Sequence, residues 1–96
     1  MKNYELMYII DASVTDEQRE SLISKFKALI ETNNGKVVSE EKLGVKKFAY
    51  PINYKTEGYY VLVNFEANPE SIVELERVYK ITDSVMKFIT IRKDEE

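Results

Sequence analysis

Six segments of two kinds divide this chain of 96 residues, and their order leaves few folds open. Four segments have the alternation or the composition of β-strands, namely residues 3–10, 36–52, 59–67 and 84–92. Two segments with helical periodicity separate the first strand from the second and the third from the fourth. With right-handed crossovers, the order βαββαβ closes most readily into a four-stranded antiparallel sheet with two helices on one face.

Local signals mark both helices. Thr15 opens the first one, and Gln18 completes a capping box three residues later. Residues 33–35, Asn-Asn-Gly, end it because these residues tolerate a left-handed backbone. Asn68 followed by Pro69 starts the second helix. The apolar stripes predicted to be buried are Leu22, Ile23, Phe26, Leu29 and Ile30 in the first helix, and Ile72, Leu75, Val78 and Tyr79 in the second.

The second strand should lie at an edge of the sheet. Pro51 cannot donate a ladder hydrogen bond, and Gly44 indicates a bulge or bend. The segment NYKTEG, residues 53–58, is interpreted as the turn to the third strand. An edge position for the second strand agrees with the strand order four, one, three, two, so we predict a ferredoxin-like α+β domain over residues 1–96, with a short acidic tail at 94–96.

Composition excludes several classes of function. The chain has no Cys and no His, which removes disulfides, thiol chemistry, the usual acid–base residue and structural zinc sites. No apolar run approaches the ~20 residues of a membrane span, and Met1 leads directly into a strand, so no signal peptide is visible. The three glycines are isolated, and no phosphate loop is present. We therefore expect no enzyme activity, no cofactor, no metal and no membrane, in a protein that suits a reducing cytoplasm.

A basic, aromatic hairpin stands out in a chain with 17 acidic and 14 basic residues. Residues 42–55 contain four lysines and no acid. Lys46 and Lys47 are neighbours on a strand, so they should point to opposite faces. Edge lysines can serve only to discourage aggregation. A stripe on the Lys46 side, however, is typical of a partner surface, and its members are Phe48, Tyr50 and Ile52.

A second basic group should form where the first and last strands meet. These strands are predicted to be antiparallel neighbours, so Lys2 lies near Arg92 and Lys93. Two separate basic clusters suit a folded RNA that approaches from several directions, although solvated surface lysines would look the same.

An RNA-recognition module is a competing interpretation, because such modules share the fold and carry aromatic residues on the third strand. Gly58 and Tyr59 fit the signature of these modules, whereas Glu57, Tyr60 and Val61 depart from it. The signature is therefore incomplete.

The opening KNYELMYII, the segment LGVKKFAYPI and the following EGYYVLVNF resemble bacterial small-subunit ribosomal protein number six. The resemblance extends over residues 3–93, and Phe48 stands where leucine is more common. It implies a non-enzymatic ribosomal protein without a small-molecule substrate. It also implies binding to the central domain of 16S ribosomal RNA, paired with the strongly basic small-subunit protein number eighteen.

Site residues follow from this resemblance together with the basic clusters. The residues assigned to ribosomal RNA are Lys2, Tyr4, Lys46, Lys47, Lys87, Arg92 and Lys93. The residues assigned to the protein partner are Phe48, Tyr50, Ile52 and Tyr59. The alternative of another class is a ferredoxin-like regulatory or metabolite-binding module, which the absence of His, Cys and a phosphate loop disfavours.

Overall fold

The computed structural model describes residues 2–52, with Ile52 in its backbone only, and residues 55–93. The elements are β1 (Lys2–Asp11), α1 (Asp16–Thr32), β2 (Lys36–Ile52), β3 (Lys55–Ala67), α2 (Pro69–Ile81) and β4 (Val85–Arg92). The sheet order is β2-β3-β1-β4, and every neighbouring pair is antiparallel. The predicted ferredoxin-like fold, including the edge position of β2, is confirmed. The predicted tail at 94–96 lies outside the described residues.

The caps of α1 form as predicted. The Thr15 side chain accepts a hydrogen bond from the Gln18 backbone N–H, and the Gln18 side chain accepts one from the Thr15 N–H, both at 3.1 Å. At the other end Asn34 has a φ of 67°, the left-handed conformation that stops a helix. In α2, Asn68 is the N-cap and Pro69 the first residue, although the Asn68 side chain makes no capping hydrogen bond.

One face of the sheet carries the core. Tyr4, Leu6, Tyr8 and Ile10 of β1 lie beside Phe65, Val63, Val61 and Tyr59 of β3. The helices cover them with Ile23, Phe26, Ile30, Leu75 and Tyr79. The rings of Tyr8, Phe26 and Tyr79 pack with centroids 4.1 to 5.3 Å apart, and apolar burial of this kind supplies most of the stability.

The hairpin of β2 and β3 is longer than predicted. β3 begins at Lys55, so residues 55–58 are strand and not turn, while the predicted turn residues 53 and 54 lie outside the described residues. The register between β2 and β3 shifts after Val37, after Lys42 and after Lys47. Gly44 follows the second shift with a φ of 87°, in agreement with the predicted bulge or bend.

Within residues 2–52 and 55–93, neither helix combines the length and the apolar character that a membrane span requires.

Candidate RNA and partner surface

The face of the sheet opposite the helices, called the open face below, is partly apolar. Cross-strand partners point to the same side of a sheet, and the register places one apolar set on this side. Its members are Met7, Ile9, Tyr60, Leu62, Ile89 and Ile91. Ile89 and Ile91 are exposed, whereas Ile9 is buried. The face is therefore a mixture of covered and open apolar surface.

Phe48 and Tyr50 extend this apolar surface from the edge strand. The Phe48 ring lies 6.3 Å from that of Tyr60, and both line a groove of about 370 Å³. Tyr50 lines the same groove and is 82% exposed. The side chain of Ile52, the third predicted member of the stripe, lies outside the described residues. An exposed aromatic side chain beside an apolar groove is typical of a surface that binds another molecule.

Tyr59 does not belong to this groove. It pairs with Ile10 and therefore points to the helix side, where it is half-buried. The Arg19 guanidinium lies over its ring, with Cζ 4.2 Å from the centroid. Tyr59 therefore points to the opposite side of the sheet from Phe48 and Tyr60, and its assignment to the protein partner stays a prediction. Tyr60 lines the groove instead, and counting by twos from Gly58 would have identified it.

Lys46 and Lys47 point to opposite faces, as predicted. Lys46 lies opposite Gly58 and faces the groove side, while Lys47 lies opposite Glu57. Among the described residues, no carboxylate oxygen lies within 4.0 Å of either ammonium group. Both charges therefore remain available for an anionic ligand.

Two other lysines of the same hairpin are already paired. The Lys42 ammonium lies 2.6 Å from a carboxylate oxygen of Glu20 on α1, and this contact raises the Lys42 pKa. The Lys55 ammonium lies 3.8 Å from the carboxylate of Asp11. Two hydrogen bonds from Ser13 and the charge of Lys55 hold the pKa of Asp11 below its usual value, with the Ser13 backbone N–H as the largest cause. These two lysines therefore connect the hairpin to the rest of the domain.

The basic group at the strand ends assembles at the far end of the sheet. Tyr4 pairs with Arg92, and the Lys93 backbone N–H donates to the Asn3 carbonyl at 2.8 Å. Lys2, Arg92 and Lys93 therefore lie at the same end of the sheet and are exposed, with Arg92 on the helix side as the partner of Tyr4 and Lys93 in contact with Asn64 on the open face. Lys87 lies elsewhere: it is the partner of Ile9 and lines the apolar groove.

Tyr4 is part of the core. Its ring is 6% exposed and stacks on Phe65 with the centroids 5.7 Å apart. A ring buried against Phe65 is not open for stacking on a base, and the assignment of Tyr4 to RNA stays a prediction. The alternation of β1 had already placed Tyr4 on the buried side with Leu6 and Tyr8.

No three His, Cys, Asp or Glu side chains among the described residues gather closely enough to hold a metal ion. Burial raises the pKa of Tyr8 and Tyr79 far above that of a free tyrosine, which keeps both neutral in the core. Hydrogen bonding to Arg77 lowers the pKa of Glu74, an ordinary surface effect. The titratable groups with shifted pKa values are therefore structural.

Comparisons with known proteins agree on one family. The family model described as ribosomal protein S6 matches residues 3–92. The small ribosomal subunit protein bS6 of Caldanaerobacter subterraneus is 45% identical over 95 residues, which are 99% of this chain and 100% of that protein. The bS6 protein of Thermoanaerobacter pseudethanolicus is 47% identical, with the same coverage of both chains.

Solved structures agree with the sequence comparisons. The crystal structure of 30S ribosomal protein S6 from Thermotoga maritima superimposes with a TM-score of 0.92 at 35% identity, over 96% of this chain and 87% of that chain. A protein from Arabidopsis thaliana covers the whole chain and 96% of its own, with a TM-score of 0.56 at 14% identity, and shares the fold alone. The chain therefore belongs to the ribosomal protein S6 family, whose members are structural, non-enzymatic components of the small ribosomal subunit in the cytoplasm.

Proposed function

We propose that this chain binds the central domain of 16S ribosomal RNA as a pair with small-subunit ribosomal protein number eighteen. Membership of the family already associates it with the small subunit and its ribosomal RNA. The observation that supports the finer assignment best is the open face, where an apolar groove lies beside basic side chains that carry no ion pair among the described residues.

The groove is the surface that we assign to the protein partner. Tyr50 projects from it almost fully exposed, and Phe48 and Tyr60 form its walls. Aromatic side chains of this kind often provide most of the binding energy of an interface. A strongly basic partner suits a chain whose net charge is −3, because opposite charges speed encounter and disfavour other partners.

The exposed cations are the groups that we assign to RNA phosphates. Lys87 lines the groove, Lys46 faces the same side of the sheet and Lys47 the reverse side. Lys2, Arg92 and Lys93 lie at the far end of the sheet. Phosphate contacts fix orientation and do not read sequence. Cations at both ends of the sheet can therefore orient the domain on a folded RNA while the groove holds the partner.

The test is a salt titration of the complex formed by this chain, protein eighteen and a 16S central-domain fragment. Each lost phosphate contact lowers the slope of log affinity against log salt by roughly 0.7 to 0.9. The double variant Lys46→Ala/Lys47→Ala should lower the slope by about one to two. The matched control is Lys25→Ala/Lys27→Ala on the exposed side of α1, which changes the charge equally and should leave the slope unchanged.

Two results would contradict the proposal. If the chain and protein eighteen together fail to bind the fragment, the assignment to the central domain is wrong. If the chain alone binds it as tightly as the pair does, protein eighteen is not the required partner. An unchanged slope for the Lys46/Lys47 variant would mean that these two lysines do not contact phosphates and serve only to discourage aggregation at the sheet edge.

A further inference from the structure

A row of polar side chains crosses the open face at the end away from the groove. The Asn64 amide nitrogen donates to Ser39 Oγ at 3.1 Å, and the Lys93 ammonium donates to the Asn64 amide oxygen at 3.4 Å. Ser39 lies on β2, Asn64 on β3 and Lys93 just beyond β4, so the row spans the width of the sheet. A depression of about 380 Å³ lies beside it.

The direction of these hydrogen bonds leaves donors pointing outward. An ammonium group can only donate, so the Asn64 amide must turn its oxygen to Lys93 and its NH₂ group to Ser39. The Ser39 hydroxyl then accepts from Asn64, and its own hydrogen has no acceptor among the described residues. Lys93 keeps two further N–H donors. A row whose two ends are both free donors is complementary to an anion.

The Lys93 ammonium group contacts a neutral amide and not a carboxylate. The Lys93 backbone N–H is fixed to the Asn3 carbonyl, and its ammonium group rests on a neutral amide. Within the described ranges, no carboxylate oxygen lies within 4.0 Å of that ammonium group. Lys42, by contrast, is held by the carboxylate of Glu20. A lysine side chain that already makes a local contact loses less side-chain entropy when it binds a ligand, and no carboxylate among the described residues pairs with the Lys93 ammonium group.

The acidic side chains near the row do not pair with the Lys93 ammonium group. Glu66 is the cross-strand partner of Lys36, so the charges of that pair offset each other. Two further acids lie near the row on the open face: Glu5 is the partner of Asn64 on β1, and Glu41 lies two residues from Ser39 on β2, as the partner of Leu62. Three acids, Glu5, Glu41 and Glu66, therefore stand against Lys36 and Lys93, so the local donors and not the net charge of the region are the attraction for an anion.

We propose that Ser39, Asn64 and Lys93 form a binding site for an RNA phosphate group, in which Asn64 positions the Lys93 ammonium group. This inference rests on the proposed function, because the phosphate belongs to the 16S central-domain fragment. Lys93 and Ser39 donate to phosphate oxygens, and Asn64 is a positioning residue that acts through Lys93. A site with these donors adds neutral hydrogen bonds to the charge contacts already assigned at the strand ends.

Four variants in the complex with protein eighteen test the site. Lys93→Met should lower the salt slope by roughly 0.7 to 0.9, with Lys27→Met on α1 as the control without effect. Ser39→Ala should weaken binding about three- to tenfold with an unchanged slope, because the lost donor is neutral. Asn64→Ala should weaken binding by a similar factor, but less than about twofold when Lys93→Met is already present, because the two residues act together.

Asn64→Asp separates positioning from packing. The carboxylate still offers an oxygen to Lys93 but neutralises its charge and repels phosphate, so binding should fall further than with Asn64→Ala. Equal or tighter binding by Asn64→Asp would overturn the proposal, as would additive losses for Asn64→Ala and Lys93→Met.

If these variants weaken pairing with protein eighteen to the same extent without RNA, the row is a protein contact and the proposal fails. Failure of the wild-type complex to bind the fragment overturns both this site and the proposed function, whereas normal wild-type binding without these variant effects overturns the site alone.

Discussion

Replacing Gly58 by alanine should push the wall of the groove out of place. Gly58 is buried on β3, between Lys46 of β2 and Asp11 of β1 in the register. A methyl group on its Cα would overlap Ile9 Cγ2 and would lie 2.9 Å from Phe48 Cζ. Carbon atoms at such distances repel strongly, so either Ile9 or the Phe48 ring must move. The glycine is needed at this position for space.

Two opposing terms set the magnitude. Overpacking a dense region typically costs about 1–3 kcal/mol of unfolding free energy. Alanine within a strand otherwise gains about 0.5–1 kcal/mol over glycine, because it loses less backbone entropy on folding. The expected net loss is therefore on the order of 1 kcal/mol, which lowers the Tm of a domain of this size by about 4–8 °C.

Thermal and denaturant melts of the purified chain measure this loss, and Ile9→Ala provides the internal check. Because Ile9→Ala removes Cγ2, the cost of Gly58→Ala should shrink in that background, and the two changes should be non-additive. Gly44→Ala is the control: its methyl group meets nothing within 4 Å, so its cost comes from the φ of 87° and should add to that of Ile9→Ala. A Gly58→Ala protein as stable as the wild type would refute the reasoning.

Two further predictions concern tyrosines. Tyr50→Ala should leave stability within about 0.5 kcal/mol, since the ring is exposed, yet weaken pairing with protein eighteen by about 2 kcal/mol or more in a titration; an unfolded variant would mean that Tyr50 is core. Burial raises the pKa of Tyr8 and Tyr79, so the folded state retains their protons at a pH where the unfolded state releases them. Stability should therefore be constant below pH ~10 and fall above it by about 1.4 kcal/mol per pH unit for each tyrosine. Melts from pH 8 to about 11.5 measure this loss of stability. The double variant Tyr8→Phe/Tyr79→Phe should no longer show the loss, whereas Tyr50→Phe should still show it. Neither buried hydroxyl has a hydrogen-bond partner among the residues that the structure describes, so the double variant should lose little stability at pH 7.

The fold could be predicted because its signals are local. The capping box of Thr15 and Gln18 and the left-handed stop at Asn34 depend on a few neighbouring residues. The length of the β2–β3 hairpin could not be predicted in the same way. Residues 55–58 extend beyond the core as strand, and their side chains show no alternation of polar and apolar character. Residues 55–58 are a strand only because they pair with β2, and this pairing cannot be inferred from their own sequence.

Two tyrosines assigned to the site, Tyr4 and Tyr59, point to the helix side of the sheet, away from the open face. Tyr59 was assigned to the protein partner together with Phe48, although strand alternation places it on the other side, where the Arg19 guanidinium lies over its ring. Tyr4 was assigned to RNA from the resemblance, against the alternation that put it in the core. Where residue type and periodicity disagreed, periodicity was the better guide, because the direction of a side chain is fixed by the backbone.

The polar row could not be found from the sequence. Its members, Ser39, Asn64 and Lys93, are 25 or more residues apart. The register shift between Val37 and Ser39 moves Ser39 to the open face, and nothing in the local sequence predicts such a shift. The match to the ribosomal protein S6 family argues against the metabolite-binding alternative. The absence of His, Cys and a phosphate loop had only disfavoured it.

The distribution of charges explains how an acidic chain can bind RNA. Lys42 and Lys55 are paired with Glu20 and Asp11, so these two lysines connect elements of the fold. The Lys93 ammonium group donates to the neutral amide of Asn64 and has no carboxylate partner among the described residues. A net charge of −3 sums paired and unpaired groups alike, whereas a phosphate within a Debye length of about 8–10 Å responds only to nearby charges. Affinity for RNA should therefore depend on which lysines lack a carboxylate partner, so that Lys42→Met should affect stability and Lys93→Met should affect binding.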